Sequence, residues 1–309
     1  MTILTLMDVL TTLTDQEIAS QPATWSRAAT LADPVRDLLV ARGERVLALG
    51  CGTSAFVAQA YATLREEAGA GETDWAYASE PPRGRRYDRV VAITRSGTTS
   101  EILTALAEVA DGTRRIGVTG VTGEPVDALL DDRILLDFAD EASVVQTRFP
   151  TTLLTAIRAA LGTDVSDSIE DCATVLRDPL PVTVGDYEHF VFLGTGWTIG
   201  LAHEAALKIR EAAQAWSESY PAMDYRHGPI AVAGPRTVVT MFGTPPDGLV
   251  EAVSATGATV VTDGLDPLAQ LVRAQRLAVS LAASRGLDPD NPRALTRSVI
   301  LLPSQNGSH

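Results

Sequence analysis

Glu204, Lys208 and Glu211 stand at positions i, i+4 and i+7 of one segment, so a helix there would carry all three on one face. A carboxylate, a titratable ammonium and a second carboxylate on one stripe can relay a proton or hold a neighbouring acid ionised. The same spacing also suits a solvated face, where such pairs contribute roughly 0.2–0.5 kcal/mol each. Taken alone, the solvated face is the favoured reading, and Lys208 is what argues for chemistry. It is the only lysine in the chain; the other 24 of the 25 basic positions are arginine. A sequence that writes its cations as arginine keeps a lysine where a compact, titratable ammonium is needed.

A second set of residues could hold an anion. Gly50-Cys51-Gly52-Thr53-Ser54 follows the short apolar run Val46–Leu49. Thr94-Arg95-Ser96-Gly97-Thr98-Thr99-Ser100-Glu101 follows a similar run, Val90–Ile93. Each turn offers backbone N–H groups, hydroxyls and glycine at the start of a helix, the combination that receives a phosphate monoester. Neither is a nucleotide P-loop or a complete dinucleotide turn. Thr98 and Glu101 also have capping-box spacing, which would give those two residues a structural task instead.

These turns belong to short buried strands alternating with helices, which predicts an α/β fold with parallel, doubly wound sheets. Strands are expected at 46–49, 90–93, 116–119 and 134–136, with a helix over 151–161 closed by Gly162. The pattern then restarts. A strand at 190–193 ends in Gly194-Thr195-Gly196-Trp197, which repeats the Gly50-Cys51-Gly52 turn 144 residues later. Strands at 238–242 and 259–261 and a long helix near 267–284 follow. Two similar lobes built by internal duplication are therefore expected. The expected organisation is a helical arm over 1–35, a first lobe over 36–163 and an acidic connector over 164–187 with one short helix. A second lobe over 188–303 carries the Glu204–Glu211 helix, and a polar tail spans 304–309. Because the turns of the second lobe lack the hydroxyl cluster, one phosphate site is expected, in the first lobe.

Bulk properties remove other functions. A net charge of −14 argues against nucleic acid or an anionic membrane as partner. No apolar run reaches membrane-span length, and the acidic N-terminus does not read as a secretory signal. Cys51 and Cys172 make no disulfide framework, so a cytoplasmic location is expected. The four histidines, 189, 203, 227 and 309, are too scattered for a metal site. No cofactor is expected.

The ordered motifs resemble the tandem sugar-isomerase (SIS) family, and in particular the isomerase half of glucosamine-6-phosphate synthase. They are Glu17-Ile18-Ala19-Ser20-Gln21-Pro22, Cys51-Gly52-Thr53-Ser54, Ser96-Gly97-Thr98-Thr99, Gln146-Thr147-Arg148, Glu204 to Glu211, Glu218-Ser219-Tyr220, Arg226-His227-Gly228-Pro229 and Pro292 to Val299. The resemblance implies that Thr53, Ser54, Thr94, Arg95, Ser96 and Thr99 hold a sugar phosphate. Cys51, Gly52, Gln146, Arg148 and Arg297 would complete the substrate site. Glu211 would be the base moving a proton between C1 and C2, tuned by Glu204 and Lys208. His227 would assist ring opening from the partner subunit of a homodimer.

Departures narrow the expectation. Arg297 stands where the family has the lysine that forms an imine with a ketose, and arginine cannot form one. Arg148 also replaces a family lysine, with its charge kept. No cysteine nucleophile stands at the N-terminus, so glutaminase activity is not expected. The two-lobe amino-sugar-phosphate deaminase/isomerases fit better. A fructosamine-6-phosphate deglycase, an isomerase of plain hydroxy-sugar phosphates and a phosphosugar-binding regulator without catalysis are the alternatives.

Overall fold

The computed structural model describes residues 12–301. The expected tail 304–309 and the first eleven residues of the N-terminal arm lie outside the described residues. Within the described residues the arm comprises α1 (Leu13–Ala19), α2 (Gln21–Ala29) and α3 (Ala32–Val35), the last running into a π turn over Arg36–Val40. Thr12 caps α1 in a reciprocal capping box with Asp15.

The first sheet contains β1 (Val46–Gly50), β2 (Thr73–Tyr77), β3 (Arg89–Ile93), β4 (Arg114–Thr119) and β5 (Asp132–Leu135). Its order is β2-β1-β3-β4-β5, with every neighbouring pair parallel. Helix α4 (Thr53–Glu67) follows β1, α5 (Ser100–Ala107) follows β3, and α6 (Arg148–Ala160) closes the lobe. Parallel strands need crossovers, and these helices supply two of them. Residues 164–187 contain the acidic helix α7 (Ser166–Arg177).

The second sheet comprises β6 (His189–Gly194), β7 (Trp216–Pro221), β8 (Thr237–Met241) and β9 (Thr259–Val261), in the order β7-β6-β8-β9. It too is wholly parallel. Helix α8 (Thr198–Ala213) follows β6, α9 (Leu249–Ser254) lies between β8 and β9, and α10 (Pro267–Ser284) ends the fold. Asp266 caps α10 by accepting from the Leu268 amide, and Pro267 occupies its first turn.

The lobes repeat at atomic detail where it matters. A Cβ on Gly50 would lie 2.2 Å from the Ser54 carbonyl carbon, and one on Gly194 would lie 2.3 Å from the Thr198 oxygen. Gly52 and Gly196 have φ of 53° and 52°, a region glycine enters without steric cost. Both strand-to-helix turns thus need glycine at the same two places. The inner faces of the two sheets, with the helices between them, share one apolar core that includes Trp25, Tyr61, Phe149, Phe190 and Leu277. The outer face of each sheet has a smaller cluster of its own.

Within that core α4 lies against α8. A Cβ on Gly200 would come within 2.4 Å of the Phe56 carbonyl oxygen, so glycine there sets how closely the two helices approach. Thr53 on one helix and the Glu204 stripe on the other are thereby brought together. No helix among the described residues is long and apolar enough to cross a membrane.

Candidate active site

The two hydroxyl-rich turns meet at the carboxyl ends of β1 and β3, where ligands of open α/β sheets are received. Between them lies a small cavity. Cys51 and Ser54 line it from the β1 turn; Thr94, Arg95, Ser96 and Thr99 line it from the β3 turn. Gln146 and Arg297 close it from the far side. Gly97 permits the second turn: its φ is 67°, and a Cβ there would meet the Glu124 side chain at 2.8 Å.

Several polar atoms here have no partner among the described residues. The Thr94 hydroxyl, Arg95 Nε and Gln146 Oε1 are buried without a hydrogen bond. Buried polar groups are nearly always paired, so an unpaired hydroxyl and an unpaired guanidinium edge at a cavity wall are donors for a ligand oxygen. Arg95 is 2% exposed, and burial lowers its pKa, partly offset by Glu141. Its Nη1 donates to the Ser143 carbonyl at 3.1 Å and its Nη2 to the Arg297 carbonyl at 3.1 Å.

The capping box expected of Thr98 and Glu101 does not form. Helix α5 starts at Ser100 with Thr99 as its N-cap, and no side chain caps it. The Thr98 hydroxyl donates instead to Ser96 Oγ at 3.1 Å or Ser298 Oγ at 2.9 Å, and the Ser100 amide donates to the Val299 carbonyl at 3.1 Å. The C-terminal segment, some 200 residues distant in sequence, takes over the cap.

Glu204, Lys208 and Glu211 lie on α8 as their spacing predicts, but the stripe faces inward. Glu204 and Lys208 are each 1% exposed. Lys208 Nζ donates to Glu211 Oε2 at 2.5 Å and to Thr53 Oγ1 at 3.2 Å, and lies 3.3 Å from Glu204 Oε1. Burial works against the ammonium, yet Glu204 and Glu211 outweigh it, and the net effect raises the Lys208 pKa. Burial pushes Glu204 up to about 7; Lys208 pulls it down and Glu211 pushes it further up. Neither Glu204 oxygen has a well-directed hydrogen bond among the described residues. The Glu211 side chain keeps 19% exposure, so it is the member of the three that a ligand can reach.

Thr53 therefore sits differently from its five companions. Its hydroxyl faces the Lys208 ammonium, and it joins the hydroxyl-rich turn after β1 to the charged stripe of α8. Gly52 stands at the N-cap of α4 and approaches Leu207 of α8. Cys51, on the cavity wall, has its thiol pushed up to about 11 by burial and then by Glu101, which leaves it protonated and poorly nucleophilic.

Arg148 turns away from the cavity. Its guanidinium donates to the Asp140 carbonyl at 3.0 Å and to Ser20 Oγ at 3.1 Å. Arg297 stays at the wall, gripped by both Asp140 oxygens at 2.6 and 2.8 Å. His227 is exposed at the end of a 3-10 turn, Asp224–His227, and has no side-chain hydrogen bond or ion pair among the described residues. Sequence reasoning missed Asp140 and Glu141. Glu141 is wholly buried, lies 3.7 Å from Arg95 Nη1, and accepts from the Thr147 hydroxyl and Arg148 amide, each at 2.8 Å. Burial raises its pKa, with Arg95 opposing. No local pattern marks either residue, because their charged partners, Arg95 and Arg297, come from the turn after β3 and from the C-terminal segment.

Two α/β lobes, each built on a wholly parallel sheet, give the chain the tandem SIS architecture. No protein-family model matches. The chain is 27% identical over 319 residues to the glutamine–fructose-6-phosphate aminotransferase of Gloeobacter violaceus, covering 84% of this chain and 52% of that protein. It thus spans about half the length of the curated relatives it matches. Among solved structures, glucosamine-6-phosphate deaminase from Thermotoga maritima superposes with a TM-score of 0.78 at 25% identity, over 94% of this chain and 100% of that one. Tagatose-6-phosphate ketose/aldose isomerase from Escherichia coli gives 0.76 at 19% identity, over 95% and 98%, a likeness of fold.

Proposed function

We propose that this chain is a phosphosugar isomerase/deaminase acting on an amino-sugar 6-phosphate. The observation that carries this reading is Lys208. One buried ammonium contacts both Glu211 and Thr53, so the acid–base stripe and the anion-receiving turn form one unit. A pure phosphosugar sensor has no use for a partly exposed carboxylate paired with a buried ammonium beside its ligand.

In the proposed reaction the phosphate lies against Ser54, Thr94, Arg95, Ser96 and Thr99. Glu211 removes the C2 proton of the open-chain 2-amino aldose while O1 takes up a proton, giving an enolamine. The resulting carboxylic acid returns its proton to C1, the nitrogen releases one proton in place of that taken by O1, and an imine is left at C2. Water adds to that imine, which yields a ketose 6-phosphate and ammonia. Lys208, bonded to Glu211 Oε2, orients that carboxylate for the first transfer. Arg297, locked to Asp140, supplies charge at the cavity wall but no imine.

His227, exposed and without a side-chain partner among the described residues, is assigned to ring opening in the site of a second subunit, so the acting species is a homodimer. Two unbonded cysteines suit the reducing cytoplasm. The likeness to the Thermotoga deaminase favours an amino sugar over a hydroxy sugar.

The test is ammonia release from glucosamine 6-phosphate, galactosamine 6-phosphate and a fructosamine 6-phosphate by wild type and Glu211→Gln. Release from a 2-amino aldose, lost by about 10³-fold or more in the variant, is expected. Release only from the fructosamine would make the chain a deglycase. Binding without turnover of any of the three would refute the deaminase reading.

A further inference from the structure

Glu17, in the Glu17–Pro22 segment, takes no part in the proton transfer and does not line the phosphate cavity. It is nevertheless 5% exposed, and a buried carboxylate needs strong partners. Those partners lie in the loop joining β5 to α6. Glu17 Oε1 accepts from the Ala142 amide at 2.6 Å and the Ser143 amide at 3.3 Å. Oε2 accepts from the Ser143 hydroxyl. Three donors, all from two adjacent residues, fix that loop to α1.

The helix is itself held. Asp290 Oδ2 accepts from the Leu13 amide at 2.7 Å, and its Oδ1 accepts from the Thr14 amide at 2.9 Å. On the other side of the loop, the Ser143 carbonyl accepts from Arg95 Nη1 at 3.1 Å. Among the described residues, one further hydrogen bond orients this guanidinium, from Nη2 to the Arg297 carbonyl. The Glu141 carboxylate stands off from Arg95 at 3.7 Å. The Arg95 Nε edge has no partner among the described residues.

We propose that Glu17 is a positioning residue for anion binding: by clamping Ser143 it aims the Arg95 guanidinium at the phosphate of the substrate. This rests on the reading that the cavity between the two turns takes that phosphate. Glu17 is remote in sequence from both turns, and it touches no reacting atom. Loosening it should weaken binding of any phosphate-bearing ligand while leaving the proton transfer at Glu211 as fast as before.

The experiment compares wild type with Glu17→Gln, an isosteric change that removes the charge and leaves one oxygen to accept. KM for the turned-over sugar phosphate and Kd for inorganic phosphate should each rise by about tenfold, with kcat within about twofold of wild type. A merely structural role would lower the unfolding midpoint and leave the KM-to-kcat ratio of the folded fraction unchanged, and that result overturns the proposal. So does a fall in kcat with KM and the phosphate Kd unaltered. If Glu17→Gln does not fold, Ser143→Ala, which keeps the carbonyl and loses the hydroxyl, is read by the same two quantities, and wild-type values overturn the proposal. Wild-type protein that binds neither inorganic phosphate nor a sugar phosphate would defeat the functional reading, and this assignment with it. Phosphate binding that is normal in wild type and unchanged in Glu17→Gln defeats this assignment alone.

Discussion

Replacing Glu204 by glutamine should make the protein more resistant to unfolding at high pH relative to wild type. Glu204 has no well-directed hydrogen bond among the described residues, and its carboxyl is pushed from the ordinary 4.5 to about 7 by burial, tempered by Lys208 and reinforced by Glu211. Thr53, which faces this stripe from helix α4, is uncharged. Between pH 4.5 and 7 the native state keeps a proton that the unfolded chain has released. Wild-type stability from this group is therefore fully present below the unfolded value and falls as pH rises through the folded one. At about 1.4 kcal/mol per pH unit, the loss across that interval is on the order of 3 kcal/mol. The amide of the variant does not titrate. The unfolding free energies of wild type and Glu204→Gln, measured by urea titration from about pH 4.5 to about pH 8, should thus diverge by that amount in favour of the variant. Groups that titrate elsewhere cancel in the difference. A difference that stays flat with pH, or one that favours wild type increasingly as pH rises, would refute the reasoning.

Two further outcomes follow from the same helix. Lys208→Met leaves Glu204 and Glu211 facing each other without a counter-charge and should cost about 3 kcal/mol at about pH 8, and less at about pH 5 where Glu204 is protonated; urea denaturation at the two pH values checks it. Gly200→Ala places a Cβ 2.4 Å from the Phe56 carbonyl oxygen, so α4 and α8 must separate. That should cost about 2 kcal/mol or more and, by stretching the Lys208–Thr53 contact, lower kcat/KM, which denaturation and steady-state kinetics on one preparation would read together.

How much of this could be read from sequence depended on whether a signal was local. The central strands β1, β3, β4, β6 and β8 were legible because a parallel strand covered on both faces is a near-continuous apolar run, and the edge strands β5 and β9 because each keeps a short apolar run of its own. The edge strands β2 and β7 were not. Thr73–Tyr77 and Trp216–Pro221 end their sheets and interrupt their apolar residues with polar ones, so neither shows the run. Helix α10 was legible to its ends because Asp266 and Pro267 announce its start. Thr98 and Glu101 had the spacing of a cap and lost it to Ser298 and Val299, which no window around residue 98 contains.

The site divides along the same line. The Glu204–Lys208–Glu211 stripe was visible because its geometry is internal to one helix, and Lys208 stood out against 24 arginines. Its direction was not visible: whether a charged stripe faces water or the neighbouring helix depends on what packs there. Gly200 decides this. Without a side chain at that position α8 comes close enough to α4 for Lys208 to reach Thr53, and at Glu204 and Lys208 a stripe that would have been solvated becomes 1% exposed. The burial that results is what raises Glu204 into the neutral range and makes Lys208 hold two carboxylates at once. The reactive properties of the stripe therefore follow from a glycine one helical turn before it, and Gly200→Ala should shift the pH dependence of activity as well as the stability.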